Sequence, residues 1–140
     1  MSRTHQILTL VGTIALGVAS SDSDAQQLVR ATLLSKTIQV DPPQLIPGVV
    51  TFEVHNAADD GTVHEFVVLK TDVADDALPV QKGQVPERKF RKVGEVEDVV
   101  PGKSKRLTVK LGSGHYVLIC NKPGHYSMGM HASLTVTPGR

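Results

Sequence analysis

At 140 residues the chain has room for one domain, or for one domain behind a processed leader. Its formal charge of +1 argues against a general nucleic-acid binder, which usually carries a strongly basic face. With aromatics at 4% and no tryptophan, the core has to be mainly aliphatic.

At the N-terminus, Arg3 and His5 precede an apolar run from Ile7 to Ala19, and Ser23-Asp24-Ala25 puts small residues at the −3 and −1 positions of a cleavage site. That is the three-part layout of a secretory leader, so 1–25 is expected to be a signal peptide and 26–140 the mature domain. The alternative is an uncleaved anchor or an apolar first helix, but the run is shorter than the roughly 20 residues that span a membrane. Cleavage would remove Arg3, Asp22 and Asp24 and move the formal charge from +1 to +2. Without a cysteine near the leader there is no signal for a lipid anchor. The expected location is the periplasm or another exported compartment, with no integral membrane span in the mature chain.

Leu28–Leu34 and Lys36–Val40 have strand character, and Asp41-Pro42-Pro43 stops the second because proline cannot donate to a sheet ladder. Val49–Asn56 and Val63–Lys70 read as strands joined across the polar segment Ala57–Gly61, which predicts a β-hairpin with a five-residue connection. Thr71–Lys92 opens acidic (Asp72, Asp75, Asp76), closes basic (Arg88, Lys89, Arg91, Lys92) and has no clear period. It is expected to be a long loop with at most a short helix. Opposed charge blocks of this kind mark a solvated surface, or a docking surface for an acidic partner. Val93–Val99 reads as a strand near an edge, and Lys105–Leu111 alternates cleanly. His115–Cys120 is apolar on both faces, as a central strand is. His131–Thr137 closes the chain as the last strand. Seven to eight short strands with turn signals between them predict an all-β sandwich or barrel.

Cys120-Asn121-Lys122-Pro123-Gly124-His125-Tyr126-Ser127-Met128-Gly129-Met130 carries the chemistry. Cys120 is the only cysteine. An exported chain usually pairs its cysteines, so a lone one points to a reactive thiol, to intermolecular pairing, or to a metal-bound thiolate. Cys, His and Met are ligands that copper favours, and a His₂Cys set with a weak axial Met is an electron-transfer arrangement. The loop is one histidine short, and His64, on a strand face shared with Phe66 and Val68, is the residue expected to complete it.

The loop resembles that of the cupredoxins, the small type 1 (blue) copper proteins, and most of all their bacterial periplasmic plastocyanin- and azurin-like members. Their pattern Cys-Asn-x-Pro-Gly-His-Tyr-x-x-Gly-Met matches Cys120–Met130, and their upstream motif His-Glu-Phe matches His64-Glu65-Phe66. The resemblance runs from about Ser35 onwards. It implies a Greek-key β-sandwich and one copper ion per chain, cycling between Cu(I) and Cu(II). His64, Cys120 and His125 would be the strong ligands and Met130 the weak axial one. It also implies a one-electron carrier, not an enzyme, that serves redox partner proteins, is expected as a monomer and binds no nucleic acid. The alternative is a copper-binding protein for delivery, storage or resistance.

Met128 competes for the axial position, but Gly129 before Met130 matches the family loop. Met128 would then lie on an apolar rim near His125. Many members carry Asn or Ser after the upstream histidine where this chain has Glu65, whose alternation points it away from the metal. Asn121 is expected to tie the two ligand-bearing segments together. His131, His115 and His55 are expected to be structural or surface residues.

Overall fold

The computed structural model describes residues 25–140, so the expected leader lies outside the described residues apart from Ala25. Among the described residues nine strands form two sheets: β1 (Gln27–Leu33), β2 (Ile38–Asp41), β3 (Gln44–Leu45), β4 (Gly48–Asn56), β5 (His64–Lys70), β6 (Arg91–Val99), β7 (Ser104–Leu111), β8 (Gly114–Ile119) and β9 (His131–Val136). One sheet has the order β2-β1-β4-β7 and the other β3-β9-β8-β5-β6. The sandwich expectation holds. The count reaches nine because the two-residue β3 just beyond Asp41-Pro42-Pro43 is too short to leave a sequence signal.

The predicted hairpin of the fourth and fifth strands does not form. β4 lies between β1 and β7, whereas β5 belongs to the other sheet, between β8 and β6. Both strands are apolar on their inner faces, so they meet face to face across the sandwich, with the Phe52 and Phe66 rings 5.3 Å apart. Asn56 directs the crossing. Its fully buried side chain donates to the carbonyls of Thr62 at 2.8 Å and Val99 at 2.7 Å and accepts the Ala58 N–H at 2.9 Å. These bonds hold the connection over the end of the sandwich instead of letting it fold back along an edge.

The main core fills the space between the sheets with Val29, Leu33, Val50, Val54, Val68, Leu118 and Leu134, among others. As expected, β8 is central and β6 lies at an edge; β7 forms an edge of the other sheet. Because β5 and β8 are apolar on both faces, their outer side needs a cover. Residues 71–90 supply it. They form a long loop with one turn of 3₁₀ helix at Glu87–Lys89, but they do more than present charge to solvent. Leu78 and Val85 are buried and pack, with Phe90 and Tyr126, on Val67, Leu69, Val117 and Ile119. The excursion is thus a third, partial layer of the domain.

Candidate metal centre

The loop after β8 closes on itself. Cys120 follows the strand directly, and its N–H donates to the Met130 carbonyl at 3.1 Å. The chain turns through Gly124, at φ 80°, into a single helical turn α1 (His125–Met128), and leaves it through Gly129, at φ 118°. Both are left-handed conformations that L side chains resist. Gly129 is constrained twice, because a Cβ there would stand 2.9 Å from the Lys36 carbonyl oxygen. The Met130 N–H donates to the His125 carbonyl at 3.2 Å, so the end of the turn is fixed relative to its first residue.

Against this loop β5 brings His64. His64 Nδ1 lies 3.2 Å from His125 Nδ1 and 3.7 Å from Cys120 Sγ, and Cys120 Sγ lies 3.3 Å from His125 Nδ1. Two ligands held about 2.0–2.3 Å from one ion and splayed by about 110° stand about 3.3–3.8 Å apart. The three donor atoms therefore have the mutual separations of a shared coordination sphere. Among the described residues this is the one cluster of three or more His, Cys, Asp or Glu side chains with that property.

The electrostatics agree. Burial pushes the Cys120 thiol above its ordinary pKa, so a thiolate there needs a cation beside it. The Glu65 N–H donates to the sulfur at 3.4 Å. Burial, then the facing His125 ring, lower the pKa of His64; burial, then Lys122, lower that of His125. Both shifts favour the neutral ring, the form that can bind a metal. With both Nδ1 atoms turned inward, the ring proton belongs on Nε2. His64 Nε2 is buried without a hydrogen-bond partner, although the nearby Leu34 backbone favours the protonated ring. Soft sulfur and two imidazoles form a donor set that fits copper.

Met130 is fully buried in the same core cluster as Cys120, while Met128 is 49% exposed. The Glu65 carboxylate is no part of the donor cluster. Burial, then the nearby Glu87, hold its pKa above the ordinary carboxylate range. The other described histidines have different partners: His131 pairs with Asp75 at 2.6 Å, His115 with the Thr71 carbonyl at 2.6 Å, and His55 with Ser104 at 2.9 Å.

Asn121 departs from expectation. Its side chain does not bond the His64 strand. It accepts the Val85 N–H at 2.7 Å and donates to the Val85 carbonyl at 2.9 Å and Glu87 Oε1 at 2.8 Å. The excursion grips the rest of the loop as well. The Gly124 N–H donates to the Gly83 carbonyl at 2.8 Å. The Tyr126 hydroxyl donates to the Asp75 carbonyl at 2.7 Å and accepts the Leu78 N–H at 2.9 Å. Sequence reasoning missed this role for Tyr126, whose one signal was an aromatic ring placed directly after a candidate ligand.

A model of the family described as "Copper binding proteins, plastocyanin/azurin family" matches residues 32–137. Among solved structures, auracyanin B is 26% identical, covering 84% of this chain and 92% of that one with a TM-score of 0.59. Rusticyanin from Thiobacillus ferrooxidans is 20% identical, covering 80% and 77%, with a TM-score of 0.58. Auracyanin A from Chloroflexus aurantiacus, described as a "blue" copper protein, is 17% identical, covering 80% and 99%, with a TM-score of 0.56. The last two likenesses establish the shared fold. No curated protein matches the sequence significantly.

Proposed function

Since the chain belongs to the plastocyanin/azurin family of copper-binding proteins, we propose that it is an exported one-electron carrier and not an enzyme, with His64, Cys120 and His125 as strong copper ligands and Met130 as the weak axial one. The observation that carries this reading is the convergence of His64 Nδ1, Cys120 Sγ and His125 Nδ1, from segments 56 residues apart, on one point. When bound, copper supplies the Cu(I)/Cu(II) couple. The protein's own part is to hold the ligands still and keep water away. His64, Cys120 and Met130 are each 0% exposed. The ligand loop is fixed by the closure of Cys120 on Met130 and by the grip of residues 75–87 on Asn121, Gly124 and Tyr126. His125 alone of the four is partly exposed, so its ring edge is the route by which an electron would enter or leave.

A visible absorption spectrum of the purified protein with Cu(II) tests the reading. The expected result is an intense thiolate-to-copper band that bleaches on reduction and is abolished by Cys120→Ser. A band that survives this substitution would show the ligand set to be wrong. A colourless protein that takes up Cu(I) and passes it on would replace the carrier with copper delivery or storage.

A further inference from the structure

The flank of the ligand loop that carries Asn121 is unusual in charge. Lys82, Arg88 and Lys89 are all exposed, and among the described residues none has a carboxylate within salt-bridge distance. Glu65 is half-buried there beside Glu87, and the other carboxylates nearby are already engaged. Glu87 accepts from Asn121 at 2.8 Å and pairs with Lys92 at 3.0 Å; Glu95 pairs with Lys92 at 2.7 Å, and Asp98 with Lys122 at 2.7 Å. The excursion's acidic end lies on the opposite flank, where Asp75 meets His131 and Ser133. The rim of the metal site is therefore basic on one side and acidic on the other.

The basic side also has a shape. Gln81 and Gln84 exchange backbone hydrogen bonds at 2.8 and 3.1 Å, with Lys82 at φ 52° and Gly83 at φ 80° between them. This is the two-residue hairpin turn with both central residues left-handed, a position where Asn or Gly normally stands. Lys82 takes it instead, at the tip of the turn, one residue from the Gly83 carbonyl that accepts the Gly124 N–H. Between Lys82 and Arg88 runs an open groove of about 500 Å³, with Asn121 at its base.

We propose that this groove and the Lys82–Lys89 ridge are a docking surface for an acidic redox protein, whose carboxylates would sit between Lys82 and Arg88 and bring its redox centre alongside the ligand loop. The purpose of the surface rests on the carrier reading; the binding does not. A surface of one sign accelerates encounter with the opposite sign and loses that advantage as salt is added.

Two measurements decide it. In the first, the reduced copper protein is oxidised in stopped flow by hexacyanoferrate(III), an anion, and by tris(phenanthroline)cobalt(III), a cation. The Lys82→Glu/Arg88→Glu protein is expected to react about five- to tenfold more slowly with the anion at low ionic strength, and no more slowly with the cation. The difference should close at about 0.2 M salt, where the Debye length is under about 10 Å. Reversal at the far end, Lys110→Glu/Arg140→Glu, should leave both rates unchanged. Equal slowing by both reversals would overturn the proposal, as would no slowing by the first. An unaltered blue band in that variant would keep the carrier reading standing. In the second, the copper-free protein is titrated with a polyglutamate peptide and with phosphatidylglycerol vesicles while amide NMR shifts are followed. Shifts confined to residues 81–89 and the adjoining Asn121 under polyglutamate support the docking surface. Shifts with vesicles alone, or in neither case, reject it.

Discussion

Asn121 shows how one side chain joins the metal loop to the rest of the molecule. It is 4% exposed, and its amide makes three hydrogen bonds to Val85 and Glu87. Replacing it by Ala leaves the Val85 N–H and carbonyl without partners in a buried setting, at about 1–3 kcal/mol for each unsatisfied group. Asn121→Ala should lower stability by about 2 kcal/mol in urea denaturation. It should also shift the reduction potential of the copper form, because the residue after Cys120 loses its anchor. Unchanged stability together with an unchanged potential would refute this role. The sequence pointed to Asn121 through its place beside the cysteine, but not to the partner it chose. Val85 is 36 positions away, and no local pattern encodes which distant segment an amide will meet.

At the scale of elements, the excursion between β5 and β6 is the structural surprise. Its charged ends read as solvated surface, and most of those charges are exposed. Its scattered apolar residues Leu78 and Val85 have no period to betray that they cover the outer face of β5 and β8. The double-sided apolarity of those two strands was the indirect sign that something had to. Asp75 fastens the excursion to β9. Burial by itself would raise the Asp75 pKa, but hydrogen bonds from His131 and Ser133, with the charge of His131, outweigh it and leave the carboxyl below its ordinary range. A depressed folded-state pKa contributes stability above the unfolded value of about 3.9 and loses it as pH falls through the folded value. Asp75→Asn should therefore be less stable than the parent at pH 7, with the gap shrinking below about pH 4. Urea midpoints at several pH values measure this, and a gap of constant size across the range would refute it.

In the whole molecule, the metal site and the start of the described chain occupy opposite ends of the sandwich. Gln27 pairs beside Val50 at the start of β4, whereas Leu33 pairs beside Asn56, whose side chain reaches the Val99 carbonyl on the strand opposite His64. Seven strand residues, about 20 Å at the usual rise, separate the two levels. A leader ending at Ala25 would thus be attached far from His125, and its removal would leave β1 whole, since that strand begins at Gln27. Among the described residues no helix is long and apolar enough to cross a membrane. The proposal that the chain is exported predicts a mature protein beginning at Gln26, as read by intact mass; a mass that includes Met1 would reject cleavage.

Alone, the sequence determined the sheet-rich class of the domain, most strand positions, and the Cys-x₄-His-x₄-Met loop with His64 as its distant complement. These are legible because alternation, proline and glycine punctuation, and ligand spacing are local properties of a chain. Tertiary structure decided that β4 and β5 face each other across the core instead of pairing, that residues 71–90 form a layer, and that Asn121 and Tyr126 lock onto it. Each of these depends on which of several compatible apolar faces and buried polar groups meet, and that is settled by packing the whole chain at once.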